Sequence, residues 1–134
     1  MSGQPEDFLD SAVLLFRRIP PDAVDTVNNR PFHTAFRLRA SRDEGSLSFY
    51  DASMVSPDDV LRGAPGPGRA IARVTVGTLT ALGFTVARAP VALSGVLGQA
   101  HVAATPAGLI NGQIPAPLRQ ALAFACELVN GASG

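Results

Sequence analysis

Residues 69–106, RAIARVTVGTLTALGFTVARAPVALSGVLGQAHVAATP, decide how this chain folds. Ala70 to Val76 alternates: Ala72, Val74 and Val76 fall on one side, Ile71, Arg73 and Thr75 on the other, which is the period of a strand. Thr78 to Leu82 reads as a short helix, and Gly83 suits the left-handed residue that ends one. Phe84 to Ala89 is a second strand, stopped by Pro90, which has no N–H to give to a ladder. Val91 to Gln99 is apolar but broken by glycine, and reads as a loop packed on the body. Ala100 to Ala104 is a third strand, closed by Thr105-Pro106. Strand, helix and strand in so short a span fit a small parallel crossover or an antiparallel connection. Parallel crossovers usually need about a dozen residues or more, so the balance favours mixed pairing.

Working back toward the start, Ala12 to Ile19 is an apolar run ended by Pro20-Pro21, and reads as a strand. Pro21 to Val24 opens a single helical turn, and Asn28-Asn29-Arg30-Pro31 is turn chemistry. In Phe32 to Ala40, Phe36, Leu38 and Ala40 alternate with Arg37 and Arg39. In Ser46 to Asp51, Leu47 and Phe49 alternate with Ser48 and Tyr50. With the charged turn 41–45 between them, these two segments are the natural hairpin. Ser56-Pro57-Asp58-Asp59 starts a helix: Ser56 caps, Pro57 takes the first helical position, and the aspartates complement the positive end of the helix dipole. Residues 63–68, GAPGPG, break that helix as a loop inside one domain.

Toward the end, Pro115 and Pro117 open the last helix. Leu118, Ala121, Leu122, Ala125, Cys126 and Val129 share its apolar face, Arg119, Gln120, Ala123, Glu127 and Asn130 lie opposite, and Asn130-Gly131 stops it. The fold class is therefore α+β. The expected architecture is a mixed, mostly antiparallel sheet of five or six short strands, with the C-terminal amphipathic helix covering one face and one or two short helices beside it. The domain spans 11–131, with a flexible leader at 1–10 and a flexible tail at 132–134.

A chain of 134 residues, 46% apolar and 16% charged, has the means to bury a core without metal or disulfide. Eleven arginines balance eleven carboxylates and lysine is absent. The net charge of zero gives no reason to seek nucleic acid or anionic lipid, and no lysine Schiff base can form. No apolar run approaches the roughly eighteen residues of a membrane span. The acidic, polar start is unlike a secretory signal. The expectation is a soluble, cytoplasmic bacterial protein without cofactor, whose partner is another protein rather than nucleic acid or membrane. Homo-oligomerisation is left open.

Candidate chemistry rests on few residues. His101 follows a glycine-containing loop and stands among small residues that leave room for a ligand; the plainer reading is a histidine satisfied by a backbone carbonyl. His33 sits beside a proline turn. Two histidines without His-x-His, Glu-x-x-His or cysteine pairing do not make a metal set. Arg17, Arg18, Arg37 and Arg73 (with Arg39) could line a sheet face and hold a phosphate or carboxylate, although solvated strand faces paired with Asp43, Glu44 and Asp51 are the simpler reading. Ser48 and Tyr50 share the polar face of their strand. Cys126, the one cysteine, belongs to the apolar side of the last helix, where it is a buried thiol rather than a nucleophile.

Taken together, Arg17-Arg18-Ile19-Pro20-Pro21, Arg30-Pro31 with Ala35-Phe36, Leu47-Ser48 and Ala100-His101 resemble a group of small, largely uncharacterised bacterial proteins. Those proteins have an Arg-Ile-Pro-Pro opening and a late Ala-His strand. The likeness covers roughly 12–104. After His101 this chain continues Val-Ala-Ala-Thr-Pro, departing from the polar continuation of that group. The resemblance implies no activity; it implies an accessory component of defence or toxin systems, encoded beside larger effector genes. Two functions follow: an interaction or adaptor protein that binds a partner of its own system, or a small enzyme or ligand-binding domain. The second would recognise a phosphorylated or nucleotide-like molecule by bringing His101, Ser48, Tyr50 and these arginines together.

Overall fold

A computed structural model describes residues 9–38, 45–63, 70–91 and 95–129. Six strands form one sheet: β1 (Leu14–Ile19), β4 (Leu47–Asp51), β5 (Ala70–Thr75), β6 (Thr85–Arg88), β7 (His101–Thr105) and β8 (Glu127–Leu128). Their order is β6-β7-β4-β1-β5-β8, and every pairing is antiparallel. A separate hairpin joins β2 (Val24–Asp25) to β3 (Arg30–Pro31), and 3₁₀ turns occupy Pro21–Ala23 and His33–Phe36. The helices are α1 (Pro57–Gly63), α2 (Val76–Ala81), α3 (Gly95–Gln99) and α4 (Ala116–Ala125). The class is α+β, and no helix among the described residues is long and apolar enough to cross a membrane.

Alternation along the strands builds two cores. Leu15, Ile19, Leu47, Phe49, Ala72, Val74, Val102 and Ala104 point to a first face, where they meet Val76 and Leu79 of α2, Phe36, and Leu122, Ala123 and Cys126. Phe16, Tyr50 and Ile71 point to the second face, under Val60 of α1 and Leu97 and Ala100 around α3. The C-terminal helix thus covers one face as expected, and the short helices α1 and α3 shield the other. Burying each large aliphatic or aromatic side chain contributes roughly 1.5–3 kcal/mol, so even the smaller core fixes where α1 and α3 sit.

Several local readings hold. Ser56 caps α1 through its hydroxyl, which accepts from the Asp59 amide at 3.1 Å, and the Asp59 carboxylate accepts from the Ser56 amide at 2.9 Å. Gly83 has φ +97°, the left-handed conformation that ends α2 without a Cβ clash. Between Asp25 and Arg30 the turn is shaped by the Asp25 carboxylate, which accepts from the Val27 and Asn28 amides. The bonds from Asn28, side chain first, hold that carboxyl below its usual range.

Four readings need correction. The hairpin of 32–40 with 46–51 does not form: β4 pairs with β1 and β7, and His33–Phe36 is a 3₁₀ turn. Phe36 and Leu38 are buried as their spacing suggests, but the backbone at Leu38 finds a side chain instead of a strand. Gln113 donates to the Leu38 carbonyl and accepts from its amide, both at 2.8 Å, so no ladder is needed there. Second, β5 and β6 run in the same direction but are not neighbours, since β1, β4 and β7 lie between them. Third, residues 95–99 of the expected Val91–Gln99 loop are helical.

Fourth, the final helix ends at Ala125, and Cys126 turns the chain into β8 against β5. Val129 donates to the Ile71 carbonyl at 2.8 Å, so the sheet edge takes the residues the helical repeat had claimed. The helix also presents a different stripe: Arg119, Leu122 and Ala123 are buried, while Ala121 and Ala125 are exposed. Leu9, assigned to the leader, is buried in the first core. Asn130-Gly131, the turn residues 41–44 and most of the loop at 63–68 lie outside the described residues.

Candidate functional site

Three of the residues singled out by sequence meet on the second face. Tyr50 of β4 stands opposite His101 of β7, and Ser48 is two residues along the same face. The rings of Tyr50 and His101 meet edge to face with centroids 5.5 Å apart. His101 Nδ1 lies 2.7 Å from the Ala89 carbonyl oxygen, and Nε2 lies 2.9 Å from the Ser48 hydroxyl. A carbonyl only accepts, so the neutral ring carries its proton on Nδ1 and Nε2 accepts from Ser48. Burial pushes the His101 pKa down, which keeps the ring neutral, while the Ala89 bond works weakly the other way. Burial likewise raises the Tyr50 phenol, against the pull of Arg18 and Arg17. Beside Ser48 stand Ala103 and, across from it, Ala87; these small neighbours leave the serine half-buried.

The arginines do not gather there. Arg17 points to the first face, where Nε and Nη2 donate to the Ala35 carbonyl and Nη1 to the Ser48 carbonyl at 3.0 Å. Its guanidinium also lies 5.5 Å from the Phe36 ring centroid and 5.8 Å from that of Phe49. Arg17 therefore ties β1, β4 and the 3₁₀ turn together from within. Arg18 is on the face of Tyr50 but donates to the Leu61 carbonyl at 2.8 Å, satisfying the end of α1. Arg37 is exposed past the 3₁₀ turn. Arg73 is held by Glu127 of β8 at 3.1 Å across the sheet edge. The expected convergence thus reduces to His101, Ser48 and Tyr50.

Cys126 lies in the first core, away from the face of His101. Burial pushes its thiol up to about 12, with Arg17 a small opposing influence, so no thiolate forms near neutrality. Among the described residues, no group of three or more His, Cys, Asp and Glu side chains is placed to hold a metal.

Two features had no clear sequence signal. On the outer side of α4, Phe124 is 72% exposed, and the Arg30 guanidinium stacks 4.2 Å from its ring centroid. Phe32, two residues on from Arg30 in extended backbone, is 46% exposed. The turn before Arg30 presents Val27 to solvent. Only the packing of β3 against α4 brings residues so distant in sequence together. The other feature is Arg119, a buried arginine whose Nε has no hydrogen-bond partner among the described residues; its i, i+3, i+4 spacing with Leu122 and Ala123 is the available hint.

Comparison of the chain with family models, with curated proteins and with solved structures finds no match.

Proposed function

We propose that this protein is an interaction component that binds another protein of its own system through the surface formed by Arg30, Phe32 and Phe124. The observation that carries the reading is the exposed Phe124 ring with Arg30 stacked on it. Aromatic and arginine side chains dominate the energetic centres of protein interfaces, and a large exposed ring has an unfavourable contact with water to lose. Stacking occupies the face of the guanidinium and leaves its N–H edge to a partner carboxylate. The expected partner segment thus offers an apolar side chain to Phe32 and Phe124 and an acidic one to Arg30.

The test is binding to the products of the neighbouring genes, measured by calorimetry with the purified chain and its Phe124→Ala and Arg30→Ala variants. Each substitution is expected to weaken binding about tenfold or more while leaving the melting temperature nearly unchanged. If no neighbouring product binds, or if binding is indifferent to both substitutions, the proposal fails.

A second reading rests on the Ser48–His101 pair. A serine hydroxyl donating to a neutral imidazole, whose other nitrogen is held by a carbonyl, has the arrangement of a base-activated nucleophile. In that reading Ser48 Oγ attacks an ester carbonyl, His101 takes the hydroxyl proton and returns it to the leaving alcohol, and water then releases the acyl group. A fluorophosphonate probe would label the wild type but neither Ser48→Ala nor His101→Gln. Unlabelled wild type leaves the pair a purely structural bond.

A further inference from the structure

The two edges of the six-stranded sheet are finished differently. At one end β8 is only two residues long, and its exposed Glu127 is paired with Arg73. At the other end β6 has a ladder partner on one side only among the described residues. Edge strands are ordinarily guarded by free charge, proline or a bulge, because their unpaired N–H and C=O groups otherwise recruit another strand. From Thr85 to Arg88 there is no proline, and the register against β7 runs unbroken without a bulge. The one charge, Arg88, is drawn in to Asp51 at 2.9 Å. Shortness is the only guard this edge has.

The phase of the ladder fixes which groups are unpaired. Ala89 donates to the His101 carbonyl at 3.0 Å, so by antiparallel alternation Ala87 and Thr85 also turn their backbone groups toward β7. Val86 and Arg88 turn theirs outward, each with one N–H and one C=O. This row is bounded at both ends. The Phe84 amide already donates to the Leu79 carbonyl at 3.0 Å, and Pro90 has no N–H. Such a row is its own complement about a two-fold axis at Ala87. Val86 then faces Arg88 of a second copy, Arg88 faces Val86 of that copy, and each pair exchanges both of its bonds. Moving the axis by one residue would call on the Phe84 amide or on an N–H at Pro90, and neither is there to give. Alanine at the axis puts the smallest chiral side chain where the strands come closest.

We infer that the chain self-associates through β6: two copies pair these strands antiparallel about Ala87 and join their sheets into one. Charge agrees with this occupant, because Arg88 is neutralised by Asp51 and the opposed strands bring no like charges together. The ladder is short, so the dimer is a weak one that forms at high protein concentration. β6 lies at the far end of the sheet from β8, and β3 packs against both β8 and α4. Pairing through β6 therefore leaves the Arg30–Phe124 surface of each copy open, and it stands or falls independently of the partner-binding reading.

The test is sedimentation velocity of the full chain over a concentration series into the millimolar range, where a monomer–dimer equilibrium is expected. Val86→Pro removes an outward N–H without touching a bond to β7, and should raise the dissociation constant about tenfold or more. Ala87→Cys sets two thiols across the axis at a Cα separation of about 4.5 Å, within the reach of a disulfide. It should oxidise to a covalent dimer much faster than Thr34→Cys, which is exposed on the 3₁₀ turn. The native Cys126 is buried and stays out of the exchange. A chain that remains monomeric throughout the series overturns the inference. So does a dimer indifferent to Val86→Pro, or equal cross-linking of the two cysteine variants. Should Val86→Pro fail to fold, the cross-linking comparison decides alone.

Discussion

Two regions of this molecule draw an arginine side chain into their packing, Arg17 half-buried and Arg119 buried, and they treat it in opposite ways. Around Arg17, the Ala35 and Ser48 carbonyls receive its N–H groups and the rings of Phe36 and Phe49 lie nearby. Around Arg119 the side chain is packed into α4's buried side and its Nε has no acceptor among the described residues. The same side chain is a structural cross-link in one place and a packed stem with one unpaired buried nitrogen in the other. A buried charge is therefore judged by its acceptors rather than by its depth.

Substituting both residues by methionine tests that contrast most directly. Arg17→Met removes the donors from two interior carbonyls, and should cost about 2–4 kcal/mol in urea unfolding. Arg119→Met removes a buried Nε that has no acceptor among the described residues and keeps an apolar chain of similar length, so it should be neutral or stabilising by about 1 kcal/mol. Equal losses at the two sites would erase the distinction.

A smaller effect comes from the polar corner of the second face, which shows how a fully partnered titratable group behaves. Because burial holds the folded-state pKa of His101 below its ordinary value of 6.5, the unfolded chain binds that proton more readily. Its contribution is fully present above about pH 6.5 and is lost as pH falls from there through the lower folded-state value. Urea midpoints at pH 7.5 and 5.5 should therefore separate in the wild type and draw together in His101→Gln. Asp51 acts in a lower window: burial alone would raise its carboxyl, but the bonds from Ser53 and Arg88 outweigh it and hold the pKa down. That contribution is lost only as pH falls below the ordinary carboxylate range.

The smallest effect is expected at the sheet edge. Arg73 and Glu127 are well exposed, so a double-mutant cycle through Arg73→Ala and Glu127→Ala should give a coupling below about 0.5 kcal/mol. A much larger value would mean that β8 depends on this ion pair rather than on its backbone pairing with β5.

Much of the sheet was legible because alternation is local. Ile71 against Ala72 and Val74, or Tyr50 against Phe49, sorts itself onto two faces without any knowledge of neighbours. The candidate site was legible in part for the same reason: Ser48 and Tyr50 must share a face. The arginines misled because a strand reveals which side a residue takes but not which element lies over that side. Arg17 and Arg18 are adjacent in sequence, yet one meets a 3₁₀ turn and two rings while the other meets the end of α1.

From the amino-acid sequence alone came the strand periods, the Ser56 cap, the Gly83 stop, and the inertness expected of Cys126. Only the tertiary structure decided that β4 lies between β1 and β7, that Gln113 takes the place of a strand beside Leu38, and that the last helix gives up Glu127–Leu128 to the sheet. Those outcomes depend on which backbone groups find partners across long stretches of chain. A donor or acceptor left without a partner inside the protein costs more than local preference can supply, so the assembled fold has the final say.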